Sequence, residues 1–96
     1  MTVKELSEIC GLSENTLRYY EKIGLIRNVR RDSSGYRDYS DDDVQWLEFI
    51  ERLKSTGMPL KEMGEFADYR YRGDATIAER LAILTKHRSR IELEQQ

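Results

Sequence analysis

The chain has 96 residues, a formal net charge of −2 and 39% hydrophobic residues, which predicts one small domain with a modest core that dimerisation would stabilise. No apolar run approaches the ~20 residues that span a bilayer, and Lys4, Glu5 and Glu8 interrupt any signal-peptide pattern, so we expect a cytoplasmic chain without membrane contact. One cysteine and one histidine exclude an internal disulfide and an ordinary Cys/His zinc site, and we expect no metal and no cofactor.

Residues 3–23 predict two short helices joined by a tight turn. Apolar residues recur at helical spacing on both sides of Gly11, at Val3, Leu6, Cys10 and Leu12 and then at Leu17 and Tyr20. Glycine suits the turn and Ser13 is the predicted N-cap of the second helix. The opposite face of that helix carries Ser13, Glu14, Asn15, Arg18 and Tyr19. A plain amphipathic hairpin would look the same, but this polar face also suits a helix that reads the DNA major groove.

Charge is segregated along the chain. Residues 18–37 hold six basic and two acidic residues, a balance of +4, whereas residues 38–68 hold three basic and nine acidic residues, a balance of −6. The positive block begins in the second helix, where local positive charge would favour contacts with phosphates. A solvated charged surface is the alternative interpretation.

The segment after Gly24 predicts a β-hairpin. The turn cluster Asp32-Ser33-Ser34-Gly35 separates the stretches 25–31 and 36–39, which are rich in arginine and tyrosine. Arginine and tyrosine donate hydrogen bonds to phosphate oxygens, so a hairpin that follows a helix-turn-helix is interpreted as a wing rather than as a plain surface hairpin.

Two further helices follow. Ser40 is the predicted N-cap of the third, and Asp41, Asp42 and Asp43 fit its first turn as capping carboxylates better than as a metal site. Its predicted buried stripe is Val44, Leu47, Ile50 and Leu53, with Trp46 and Phe49 beside it. Gly57 is expected to end this helix, Pro59 to lie in the first turn of the fourth and Gly73 to close the fourth. The predicted inner face of the fourth helix is Leu60, Met63, Phe66 and Ala67.

Residues 76–96 contain neither Gly nor Pro and predict a long helix. Spacings of four and three give an a/d stripe of about three heptads, made of Ile77, Leu81, Leu84, Arg88, Ile91 and Gln95. Such a helix either folds back on its own domain or pairs with a second chain, and the narrow stripe favours pairing. The chain is expected to end within this helix, and His87 is predicted to lie on its surface.

The ordered motifs resemble the N-terminal part of the MerR family of bacterial transcription regulators. The matching residues are Val3–Leu12, Thr16-Leu17-Arg18-Tyr19-Tyr20-Glu21, Gly24-Leu25-Ile26, Gly35-Tyr36-Arg37, Tyr39-Ser40, Asp43-Val44, and Gly57 with Leu60. The resemblance implies a mainly α, winged helix-turn-helix domain over residues 1–73 and a dimerisation helix over residues 74–96. It also implies an antiparallel coiled-coil homodimer that binds an inverted repeat in double-stranded promoter DNA and distorts it for RNA polymerase.

Two sets of site residues follow from the charge pattern and the resemblance together. The expected DNA-binding residues are Ser13, Asn15, Thr16, Arg18, Tyr19, Lys22, Arg31, Tyr36, Arg37 and Tyr39. The expected dimerisation residues are Ile77, Leu81, Leu84, Arg88 and Ile91.

The chain departs from parts of the family pattern. It lacks the cysteines that metal-sensing members carry around the long helix, whereas Tyr71-Arg72-Gly73-Asp74 with Ile77 and Arg80 resembles a redox- or aldehyde-responsive branch. That branch places a cysteine in the third helix, but the cysteine of this chain is Cys10, at a position expected to be buried. A small apolar core residue is therefore favoured for Cys10, and a sensing thiol is the alternative. The effector is not identified by the sequence. An excisionase-like DNA-bending protein is the alternative function, and no motif supports an enzyme.

Overall fold

The computed structural model describes residues 1–94, and its elements follow the predicted order. The helices are α1 (Val3–Cys10), α2 (Glu14–Lys22), α3 (Asp41–Ser55), α4 (Leu60–Arg72) and α5 (Ile77–Glu94), with one 3₁₀ turn at Asp74–Thr76. Strands β1 (Arg30–Arg31) and β2 (Arg37–Asp38) pair antiparallel, with Arg30 opposite Asp38 and Arg31 opposite Arg37. The predicted mainly α class with a small hairpin is confirmed, and Gln95 lies outside the described residues.

The helix starts follow the predicted capping chemistry. The Ser13 side chain accepts a hydrogen bond from the Thr16 amide, and Gly11 adopts φ 72° in the turn before it. At α3, the Ser40 hydroxyl accepts from the Asp43 amide at 3.2 Å and the Asp43 carboxylate accepts from the Ser40 amide at 3.0 Å. This reciprocal capping box accounts for Asp43 without a metal ion.

The core lies where α1, α2, α3 and α4 meet. Leu6, Leu17, Leu47 and Ile50 are almost wholly buried. The Trp46 indole donates to the Leu25 carbonyl at 2.7 Å and stacks near Phe49 and Phe66, at ring-centroid distances of 6.0 and 5.9 Å. The tryptophan therefore joins the chain that leads into the hairpin to both α3 and α4.

A turn at Gly73 sends α5 back along α4. Gly73 adopts φ 102° and ψ −167°, a conformation open mainly to glycine. The buried Thr76 hydroxyl contacts the carbonyls of Gly73 at 2.8 Å and Tyr69 at 2.5 Å. These bonds fix the start of α5, so that α4 and α5 form an antiparallel helical hairpin.

The helix α5 shows two different faces. Ile77 and Leu81 of the predicted stripe are 51% and 56% exposed, whereas Leu84 and Ile91 are half-buried against the chain's own helices. Arg88 is exposed and pairs with Glu92 at 3.1 Å. The fold-back and pairing alternatives are thus not exclusive, because one face covers α4 and the other stays open. No helix within residues 1–94 is long and apolar enough to cross a membrane.

Several expectations about residues of the helices were wrong. Cys10 and Val44, both expected to be buried, are only half-buried. His87 is buried rather than on the surface, because it lies on the face of α5 that packs against the chain. Leu60 is 44% exposed, because α4 begins at Leu60 and its first residue points away from the core. Pro59 precedes α4 as its N-cap rather than lying in its first turn.

Candidate nucleic-acid interface

The exposed face of α2 is polar and cationic. Leu17 and Tyr20 are buried on the inner face, and Asn15, Arg18, Tyr19 and Lys22 are exposed on the outer one. Thr16 is half-buried, and its hydroxyl lies 2.9 Å from that of Ser13 at the helix N-terminus. The predicted recognition residues therefore share one surface, with the two hydroxyl groups at its N-terminal edge.

Tyr20 anchors this helix to α3. Its hydroxyl donates a hydrogen bond to Glu51 Oε1 at 2.9 Å, and its side chain is 4% exposed. Burial, together with the Glu51 carboxylate, raises the pKa of Tyr20 to about 12, so the phenol remains a donor at neutral pH. This placement separates Tyr20, which has a structural role, from the exposed Tyr19.

Arg18 is oriented within α2. Its Nη1 donates to Asn15 Oδ1 at 2.8 Å, one helical turn earlier, on the exposed surface. Guanidinium groups can donate two parallel hydrogen bonds to a guanine edge or a phosphate. Asn15 therefore accepts from one donor of a guanidinium that is exposed on the outer face of α2.

The hairpin forms a wing whose tip is held by Asp32. The Asp32 carboxylate accepts from the amides of Ser34 and Tyr36 at 2.9 and 3.0 Å. Gly35 adopts φ 84°, and Arg31 Nη1 donates to its carbonyl at 3.1 Å. Tyr36 is 72% exposed, so a rigid turn presents Tyr36 and Arg31 to solvent.

Arg37 connects the wing to α2. Its Nε donates to Glu21 Oε2 at 2.6 Å, and both side chains are partly buried. Arg18, Glu21, Lys22 and Arg37 line one shallow surface depression. Part of the Arg37 charge is neutralised by Glu21, so this arginine positions the wing as well as adding to the basic surface.

Tyr39 is not at this surface. It was expected to hold the DNA backbone, but it is 2% exposed and belongs to the core. Burial raises the pKa of its phenol, and its amide donates to the Met1 carbonyl at 2.8 Å. Tyr39 follows β2 at the point where the chain turns into α3, and its ring therefore points inward.

A brace that no sequence pattern predicts joins the base of the wing to α4. The Arg27 amide donates to the Tyr71 hydroxyl at 3.0 Å, and the Arg27 guanidinium, which pairs with Asp68, lies 5.3 Å from the Tyr71 ring centroid. These residues are more than 40 positions apart, and no local periodicity links them. The brace fixes the angle at which the wing leaves the domain.

Comparisons with known proteins assign the family. The model for "MerR HTH family regulatory protein" matches residues 1–69, and the model for "MerR, DNA binding" matches residues 44–96. The chain belongs to the MerR family. The resemblance inferred from the sequence motifs is therefore confirmed. The prediction of a DNA-binding regulator of MerR type is confirmed at the level of the family.

Two curated relatives are HTH-type transcriptional regulators. One, uncharacterised, from Haemophilus influenzae, is 46% identical over 82 residues, which cover 85% of this chain. The other, AdhR from Bacillus subtilis, is 37% identical over 91 residues, which cover 95% of this chain. The chain spans 61% and 65% of their lengths, which is less than two thirds of either protein.

Solved structures of the family share the fold. A MerR family regulator from Listeria monocytogenes superposes with a TM-score of 0.90 at 31% identity, covering 98% of this chain and 71% of that one. HiNmlR is described as a MerR family regulator lacking the sensor domain, bound to promoter DNA. It superposes with a TM-score of 0.87 at 41% identity, covering 97% of this chain and 74% of that one.

Proposed function

We propose that this chain binds an inverted repeat in a promoter as a homodimer and distorts the DNA to control RNA polymerase. One observation carries the proposal: the exposed faces of α2 and the wing are polar and basic, and they are joined through the Arg37–Glu21 ion pair. In such a complex Asn15, Thr16, Arg18 and Tyr19 face the major groove, and Lys22, Arg31 and Tyr36 contact flanking phosphates. Ser13 caps the N-terminus of this recognition helix.

The open face of α5 supports the dimer. Ile77 and Leu81 expose apolar surface on a helix whose other face is already packed. A second copy of α5, running antiparallel, would cover both residues and bring in Arg88 and the remaining surface of Leu84 and Ile91. The pairing would hold two recognition helices at a fixed separation, as an inverted repeat requires.

Distortion follows if that separation differs from the spacing of the half-sites on relaxed B-DNA. Bending or untwisting a duplex to match costs roughly 1–6 kcal/mol, which the added contacts would offset. The structure of HiNmlR bound to promoter DNA supports the binding of promoter DNA in this proposal. A cytoplasmic location is part of the same proposal.

Selection from a random duplex library tests the proposal. The enriched duplexes should contain an inverted repeat, and binding should weaken as salt rises, because phosphate contacts release counterions. Arg18→Ala should lose the enriched sequence preference. Enrichment of single, unpaired half-sites, or binding that does not respond to salt, would contradict the proposal.

A further inference from the structure

His87 lies at the meeting point of three helical elements. It projects from α5, is 6% exposed, and faces the turn between α3 and α4. Its ring lines a pocket of about 160 Å³ together with Thr56, Pro59 and Arg90. A histidine at this depth costs desolvation unless both ring nitrogens find partners.

Both nitrogens have partners, and their roles are fixed by chemistry. Arg90 Nη2 lies 2.9 Å from His87 Nδ1, and because a guanidinium only donates, Nδ1 must accept. The hydrogen of the neutral ring is then on Nε2, which donates to the Thr56 hydroxyl at 2.8 Å. That hydroxyl donates in turn to the Leu53 carbonyl at 2.8 Å, at the C-terminal end of α3.

Arg90 extends the network to α4. Its Nη1 and Nη2 donate to the two oxygens of Glu62 at 2.7 and 2.5 Å, a bidentate pair. The Arg90 guanidinium holds the pKa of the Glu62 carboxyl below its ordinary value. His87 and Arg90 therefore join the later part of α5 to the end of α3 and to the first turn of α4.

These hydrogen bonds set the angle between α5 and the rest of the domain, which apolar packing alone would not set. Ile83 and Leu84 pack α5 against the core without directional preference, whereas hydrogen bonds to Thr56 and Glu62 allow little rotation. With the start of α5 held at Thr76, the helix axis is fixed at two points. In a dimer joined through α5, this axis relates one DNA-binding domain to the other.

We propose that His87 is a positioning residue, whose bridge from α5 to the α3–α4 turn sets the half-site spacing that the dimer accepts. The inference rests on the proposed binding of a dimer to an inverted repeat. Loss of the bridge would let each DNA-binding domain pivot on α5, so that operators of several spacings would bind similarly while each half-site contact stayed the same.

The test uses the whole chain and the inverted repeat recovered by duplex selection. Duplexes with identical half-sites and a spacer lengthened or shortened by one or two base pairs are titrated. The chain should prefer one spacing by at least about tenfold, since the others require additional deformation of the DNA. His87→Leu should reduce this preference to about twofold and leave affinity for an isolated half-site unchanged.

Three variants sharpen the result. His87→Gln, whose amide can donate and accept, should restore much of the spacing preference, and Ser89→Leu, at an exposed position of α5, should leave it intact. Thr56→Ala removes the acceptor of the bridge from an exposed turn, so it tests the same point if His87→Leu does not fold. The spacing preference should weaken in Thr56→Ala as well.

The outcomes separate the two claims. If the unaltered chain enriches no inverted repeat, the proposed function fails. Suppose instead that the unaltered chain shows a clear spacing preference and that His87→Leu retains it in full. The function then stands and the role of His87 is overturned. Thr56→Ala decides the same point if His87→Leu does not fold. If His87→Leu lowers affinity equally at every spacing and for the half-site, the residue serves stability alone, and the positioning role is again overturned.

Discussion

Helices α2 and α5 each bury one face and expose the other, but their exposed faces differ in chemistry. The open face of α2 carries Asn15, Arg18, Tyr19 and Lys22, whereas that of α5 includes Ile77 and Leu81. A cationic, hydrogen-bonding surface suits a charged polymer, and an apolar stripe suits a second apolar stripe. The difference supports the two partners proposed above, which are DNA at α2 and a second copy of the chain at α5.

The covered faces also differ. The inner face of α2 uses Leu17 and Tyr20 in an apolar core, with one hydrogen bond to Glu51. The inner face of α5 combines the apolar contacts of Ile83 and Leu84 with a polar network, in which His87 and Arg90 join Glu62 of α4. Directional bonds hold a helix at a set angle, so α5 is built for orientation as well as for burial.

The first prediction concerns the inner face of α2 and has the largest expected effect. Tyr20→Ala should lower the free energy of unfolding by roughly 3–5 kcal/mol, because it leaves a cavity at the core. Tyr20→Phe should cost only about 1 kcal/mol, since it removes one hydrogen bond to Glu51 and keeps the ring. Chemical denaturation of both variants measures the difference. Equal, small losses would place Tyr20 outside the core.

The second prediction concerns the open face of α5. Leu81→Glu should weaken dimerisation by about a hundredfold, ~2.7 kcal/mol, because it places a charge in each of two paired apolar stripes. Leu81 is a better site than Leu84, whose side chain is already half-covered in the single chain. Sedimentation equilibrium measures the effect, with Ser89→Glu as the control for added charge. If Leu81→Glu does not change the strength of dimerisation, the interface lies elsewhere.

The third prediction concerns the open face of α2. Arg18→Ala should cost ~1–3 kcal/mol for the selected duplex and relax its sequence preference, because Arg18 is proposed to contact a base edge. Arg31→Ala, on the exposed wing strand, should weaken all duplexes similarly and reduce the salt dependence by about one counterion. Titrations at several salt concentrations compare them. If the two variants behave alike, α2 does not read bases through Arg18.

The fourth prediction concerns the covered face of α5 and has the smallest expected effect. The Arg90 guanidinium holds the pKa of Glu62 below its ordinary value of 4.5 in the folded chain. The pair therefore stabilises the fold above that value, and the stabilisation is lost as pH falls through the folded-state pKa. Melting temperatures of the unaltered chain and Glu62→Gln should converge on acidification. A constant gap at all pH values would exclude this linkage.

The elements that were predicted correctly depend on interactions between residues that are close in the sequence. Ser13 and Ser40 are followed by amides that their side chains cap, and Leu17 and Tyr20 repeat at helical spacing, so the helix-turn-helix could be read from short windows. The turn residues Asp32 and Gly35 likewise identified the wing.

The misplaced residues depend on contacts between distant elements. His87 looked like a surface residue because Thr56, which accepts the hydrogen bond of its ring, lies 31 positions away in the sequence. Tyr39 looked like a phosphate contact because it follows Tyr36 and Arg37, yet the chain turns inward before α3. In α5 two stripes share one helix, and periodicity alone did not show which stripe the chain itself covers.

The proposed function depends most directly on the binding of two chains to each inverted repeat. Native mass spectrometry of the chain with its selected duplex counts the protomers in the complex. We expect two chains on each inverted repeat. We also expect Leu81→Glu to lower the affinity of this complex, while an isolated half-site still binds one chain. A single chain bound to the full inverted repeat, with an affinity that Leu81→Glu leaves unchanged, would contradict the proposed function.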